Sequence, residues 1–173
     1  MKLTIPIVLA FGLTAAIASA ATPAAETVLS QAREKASAEQ KAIFVHFGAS
    51  WCGWCKRLDA FLERPDIRPV FEKYFVPVKL VVQENDKNKA LENPGADALL
   101  KEFGGPGGLP YSAFLDAKGG LIINSKRDGQ NIGYPAQPEE IEYFILMMKK
   151  AATGMSEGDL ETINKALKSF KRT

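Results

Sequence analysis

The feature that most constrains this chain is a near-continuous apolar run, Ala42-Ile-Phe-Val-His-Phe-Gly48, followed three residues later by Cys52-Gly-Trp-Cys55. A central strand covered on both faces needs such a run. Beyond it, Cys55, Leu58 and Leu62 recur at i, i+3 and i+7 with Phe61 beside them, so the spacing predicts a helix starting near Cys52. The stretch from His46 to Leu58 holds both cysteines, the one histidine and both tryptophans of the chain. Two cysteines at this spacing fit three chemistries: a staple, half of a metal site, or a dithiol that opens and closes.

Elementary chemistry separates these three. A chain of 173 residues with 46% hydrophobic content is large enough to bury a core without a staple. A four-residue loop also removes little chain entropy, so the bridge would be a poor staple. A zinc site takes four ligands as a rule, and two cysteines with one histidine fall short. A dithiol at a helix start fits best. The first turn of a helix offers unpaired N–H groups and a partial positive charge, which favour a thiolate at Cys52. A thiol with pKa ~8.5 is only ~3% ionised at pH 7, and one tuned to ~7 is half ionised, a difference worth ~2 kcal/mol. Cys55 shares the apolar stripe of Leu58 and Leu62, so it is expected to be buried while the Cys52 sulfur meets solvent. Cys52 would then attack a partner and Cys55 would resolve the mixed disulfide.

The remaining elements follow from periodicity and breakers. Helices are expected over Glu26–Gln40, from Cys52 to the break at Pro65, over Asp66–Tyr74 with Asp66 as cap, over Ala96–Phe103, Pro138–Ala152 and Ser156–Phe170. Strands are expected over Ala42–Gly48, Phe75–Val82, and a hairpin of Tyr111–Asp116 with Leu121–Asn124. The segment 83–95 is expected to be a loop with some helical turns, and 124–137 a loop. The Gly104–Gly108 run lacks the lysine and hydroxyl residue of a phosphate loop and leads into a strand, so it is expected to be a turn. The order is that of an α/β protein with one mixed sheet flanked by helices and an extra C-terminal helix.

Lys2, the apolar stretch Leu3–Ile17 and Ala18-Ser-Ala20 fit a secretory leader, with an uncleaved anchor as the alternative. The leader reading makes residues 1–20 a signal peptide and 21–173 a single domain. It also places the protein in a periplasm or other oxidising compartment, where two thiols can join. A net charge of +2 gives no reason to expect nucleic acid or an anionic membrane as partner. The chain is expected to act as a monomer.

Phe44-Val-His-Phe-Gly-Ala-Ser-Trp-Cys-Gly-Trp-Cys-Lys56 resembles the active-site strand and turn of the thioredoxin superfamily, in the style of exported thioredoxin-like proteins with Trp-Cys-x-x-Cys-Lys. Gly108-Leu-Pro-Tyr111, ahead of a strand, resembles that family's cis-proline segment. The likeness covers roughly residues 41–126. It implies a thioredoxin-like fold and a redox-active Cys52–Cys55 disulfide exchanged with protein or small-thiol substrates and a redox partner, with no bound cofactor. It also implies a cis Leu109–Pro110 bond beside the cysteines, with the Leu109 backbone pairing with substrate. Trp51 and Trp54 would cover the dithiol and contact substrate. The sequence departs from thioredoxin at Gly53-Trp54, where thioredoxin has Gly-Pro, and in the long stretch 83–108. It departs again at His46, which stands where the family has a buried acid that moves a proton to and from the resolving cysteine. An imidazole at His46 is suited to the same task, and Lys79 matches a lysine near that acid. The competing reading is a non-catalytic binding module, a chaperone or metal carrier, that uses the dithiol as a grip.

Overall fold

The computed structural model describes residues 21–105 and 107–169. The expected leader, the residue between Gly105 and Gly107, and the end of the last expected helix at Phe170 lie outside the described residues. Helix α1 (Ala25–Glu39) leads into strand β1 (Ala42–Gly48), α2 (Gly53–Leu62), α3 (Arg68–Tyr74) and β2 (Phe75–Val81). A 3-10 turn (Asp86–Leu91) and α4 (Ala96–Glu102) precede β3 (Tyr111–Leu115) and β4 (Leu121–Asn124). A short hairpin of β5 (Lys126–Arg127) and β6 (Gln130–Asn131) follows, then α5 (Pro138–Ala151) and α6 (Glu157–Ser169).

The main sheet has the order β2-β1-β3-β4, with β1 parallel to β2 and antiparallel to β3. All seven residues of β1 are buried, as its apolar run requires. Alternation divides them between two cores. Ile43, Val45 and Phe47 pack with α1, α4, Leu80, Ala113 and Leu115 on one face. Phe44 points to the other face, against α2, α3, α5 and α6, with Phe71, Phe114 and Phe144 around its ring at 5.1, 4.8 and 6.1 Å. His46 and Gly48 follow Phe44 on that second face, so the strand presents them beneath α2. The last helix docks on its own domain through Leu160, Ile163 and Leu167.

Two local expectations need correction. Asp66 does not cap α3. The Arg64 guanidinium takes both of its carboxylate oxygens (2.9 and 2.7 Å), and Ile67, fully buried, occupies the cap position without a side-chain cap. The segment 124–137 is not plain loop, because β5 and β6 form a hairpin around Asp128-Gly129. Both turn residues have positive φ (52° and 82°), the geometry of a tight two-residue hairpin turn, and Asp-Gly is its usual sequence signal.

Phe44 ties α3, β3 and α5 to the central strand, so Phe44→Ala leaves a cavity at the meeting point of four elements. A loss of about 3–5 kcal/mol of unfolding free energy is expected in urea titration.

Candidate active site

The site is built where β1 ends. The turn Ala49–Trp51 closes with Cys52 N–H donating to the Ala49 carbonyl at 3.1 Å. Cys52 is the N-cap residue of α2, and its sulfur accepts the Cys55 N–H at 3.1 Å. The two sulfurs are bonded to each other. An N-cap sulfur facing a free backbone N–H is the arrangement that stabilises a thiolate when the bond opens.

Both cysteines are covered in this oxidised form. Cys55 is 1% exposed, as its place on the apolar stripe predicts, but Cys52 is only 5% exposed, not open to solvent as its position suggested. Ala49 and Leu109 pack on the disulfide and account for the difference. The Leu109–Pro110 peptide bond is cis, and the segment it shapes lies against the cysteines. Asn131, in β6, braces that segment by donating from Nδ2 to the carbonyls of Gly108 (2.9 Å) and Pro110 (3.0 Å).

Two exposed tryptophans flank the disulfide. Trp51 donates its indole N–H to the Gln83 carbonyl at 2.7 Å. Trp54 stacks on Tyr134 at 5.9 Å and 17°, with the Arg57 guanidinium over both rings. Trp54, Leu109, Ile132, Gly133 and Tyr134 line a cavity of about 220 Å³ beside the cysteines. The site thus gathers Trp54 and Leu109 on one side and leaves Trp51 on the other.

His46 is 4% exposed, with its ring 5.8 Å from that of Phe44. Its Nε2 lies 2.9 Å from Asp59 Oδ1, and Lys79 Nζ donates to Asp59 Oδ2 at 2.6 Å. A carboxylate only accepts, so Nε2 carries the proton. Burial pushes the Asp59 carboxyl up, but hydrogen bonds from His46 and Lys79, with their charges, outweigh it and hold it below the ordinary carboxylate value. His46 Nδ1 is buried with no hydrogen-bond partner among the described residues. Asp59 lies one helical turn beyond Cys55, and His46 lies two strand residues before Gly48. Asp59 is therefore carried by the same helix as Cys55, and His46 by the strand on which that helix sits. A cavity of about 370 Å³ on that flank is lined by His46, Asp59, Glu63, Arg68, Glu72 and Lys79.

Sequence reasoning missed Asp59, Glu84, Asn131 and Tyr134. Only Asn131 had a local signal, the Asp-Gly turn that sets its hairpin. Glu84 is 7% exposed and holds the Ser50 N–H and hydroxyl on its two carboxylate oxygens. Among the described residues no cluster of three or more His, Cys, Asp or Glu side chains is disposed to hold a metal ion. No described helix is long and apolar enough to cross a membrane.

Gly48 is the contact on which the cysteines rest. A Cβ there would meet Cys55 Cβ at 3.1 Å and Sγ at 3.3 Å. Gly48→Ala is expected to push the first turn of α2 off the strand. It should cost about 1–3 kcal/mol of stability by denaturation and leave Cys55 open to alkylation in the reduced protein.

The thioredoxin-like family model matches residues 24–117. No curated protein sequence matches the chain. Among solved structures, a disulphide isomerase from Xylella fastidiosa Temecula1 superposes with a TM-score of 0.51 at 20% identity, over 91% of this chain and 96% of that one. The C-terminal domain of DsbD from Neisseria meningitidis, in its oxidised form, gives 0.45 at 24% identity over 73% and 99%. A thioredoxin from Thermus thermophilus gives 0.45 at 18% identity over 76% and 87%. The isomerase match shows a shared fold. The family match takes in more than half of the chain, from α1 through β3, and on that ground the protein belongs to the thioredoxin-like family, with Cys52 and Cys55 as the Cys-x-x-Cys pair of a thiol–disulfide oxidoreductase.

Proposed function

We propose that the protein is an exported thiol–disulfide oxidoreductase, a single domain over residues 21–173 that exchanges disulfides with protein or small-thiol substrates in a periplasm. The leader pattern of residues 1–20 supports export. The observation that carries the activity is the Cys55 N–H donating to the Cys52 sulfur at the start of α2. That donor and the helix terminus favour negative charge on Cys52 over Cys55.

In the reducing direction, the Cys52 thiolate attacks one sulfur of a substrate disulfide and forms a mixed disulfide. The other substrate sulfur leaves as a thiolate. Cys55 then loses its proton to His46 Nδ1 and attacks Cys52 Sγ. The Cys52–Cys55 bond forms, the second substrate thiolate departs, and both substrate thiolates take up protons. Two electrons pass from the dithiol to the substrate. The oxidising direction is the same sequence reversed. Asp59, itself held by Lys79, fixes the His46 ring with Nε2 protonated and Nδ1 vacant, which suits Nδ1 to accept that proton. Leu109, ahead of the cis proline, offers backbone to an extended substrate, and Trp51 and Trp54 flank the sulfur it approaches.

Cys55→Ser should accumulate covalent mixed disulfides through Cys52, visible on non-reducing gels. If partners instead remain bound noncovalently after both cysteines are replaced, the protein is a binding module and the enzyme reading fails. His46→Ala should slow resolution of a preformed mixed disulfide about 100-fold at pH 7, read by stopped-flow tryptophan fluorescence, while the first attack by Cys52 changes little.

A further inference from the structure

The turn that carries Cys52 is gripped from outside by a segment that takes no part in the exchange. Val82 N–H donates to the Gly48 carbonyl at 2.9 Å, and the Gln83 carbonyl takes the Trp51 indole N–H. Gln83 itself sits at φ 55°, a conformation non-glycine residues rarely adopt, and this turns Glu84 inward. The Glu84 carboxylate then accepts the Ser50 N–H on one oxygen and the Ser50 hydroxyl on the other, the latter at 2.7 Å. Asn88 Nδ2 donates to the same hydroxyl oxygen at 3.0 Å. Glu84 is 93% buried, and no ion pair among the described residues involves it. Other charges near the turn are Glu92, already paired with Lys89 at 2.9 Å, and Lys56 and Arg57 on α2, the latter lying over Trp54 and Tyr134.

A buried carboxylate without a counter-cation, held two residues before a sulfur that must carry negative charge, acts on that sulfur in a definite direction. Like charge disfavours the thiolate. The reduced form is the one that carries the thiolate, so the couple moves toward the disulfide and the dithiol becomes the better reductant. We propose that Glu84 is a positioning residue which both sets the Ala49–Trp51 turn and tunes the Cys52–Cys55 couple toward the reducing side. The assignment rests on the oxidoreductase reading and gives it a direction of electron flow.

Two variants of the full chain separate charge from geometry. Glu84→Gln keeps the shape and removes the charge. It should lower the Cys52 thiol pKa, read from the pH profile of alkylation of the reduced protein, by about one unit. The equilibrium with glutathione at pH 7 should shift about threefold toward the reduced protein, ~15 mV. Ser50→Ala keeps the charge and removes one donor that screens it, so it should move the thiol pKa upward. Mere loosening of the turn would move both variants the same way. An unchanged thiol pKa in Glu84→Gln, or shifts of one sign in both variants, overturns the assignment. Should Glu84→Gln not fold, Ser50→Ala decides alone, because a downward or absent shift has the same consequence. A wild-type dithiol that fails to equilibrate with glutathione would sink the oxidoreductase reading instead, while the alkylation profiles would still report on Glu84.

Discussion

The structure depends on the contact between the first turn of α2 and the bare backbone of β1 at Gly48. Cys55 lies on that glycine so closely that a Cβ there would meet its Cβ at 3.1 Å and its sulfur at 3.3 Å. Because β1 is an interior strand, parallel to β2 and antiparallel to β3, its position is determined from both sides by ladder hydrogen bonds and from both faces by core side chains. A helix seated on such a strand inherits its rigidity. The sulfur at the helix start is then presented at a defined place relative to the cis-proline segment, which enters the same sheet through β3.

Polar groups are distributed asymmetrically about this contact. Between α2 and the sheet runs a chain of alternating charge and polarity, Lys79 to Asp59 to His46, ending at a ring nitrogen with no hydrogen-bond partner among the described residues. On the turn before Cys52, the Glu84 carboxylate accepts the N–H and the hydroxyl of Ser50, both neutral donors. In the mechanism proposed above, the proton acceptor would serve resolution of the mixed disulfide, and the proposed charge at Glu84 would set how readily the pair gives up electrons.

Around these groups, elements far apart in sequence brace the surfaces a substrate would meet. The β5–β6 hairpin places Asn131 across the carbonyls on either side of the cis bond. Tyr134, within the loop that leads from β6 into α5, stacks on Trp54. The loop after β2 holds Trp51 through the Gln83 carbonyl. Each brace uses a residue with no chemistry of its own in the exchange, and each fixes backbone or an aromatic face at the rim.

Much of the fold was legible in the sequence because it is local. The seven-residue apolar run could hardly be anything but a buried strand, the i, i+3, i+7 stripe after Cys52 could only place Cys55 inward, and Pro65 had to end the helix. The cis bond at Leu109–Pro110 was anticipated by likeness to a family, not by spacing. What the sequence by itself determined was the dithiol, the strand that presents it and the layered order of elements. These depend on periodicity and on breakers within a few residues. The tertiary structure alone decided that His46 meets Asp59, that Glu84 reaches Ser50 across 34 positions, and that Leu109 packs against the cluster of Ala49 and the two cysteines. Those partners are chosen by the register of strands and the seating of helices. An acidic residue looks the same in sequence whether the finished fold leaves it in water or turns it toward a buried turn.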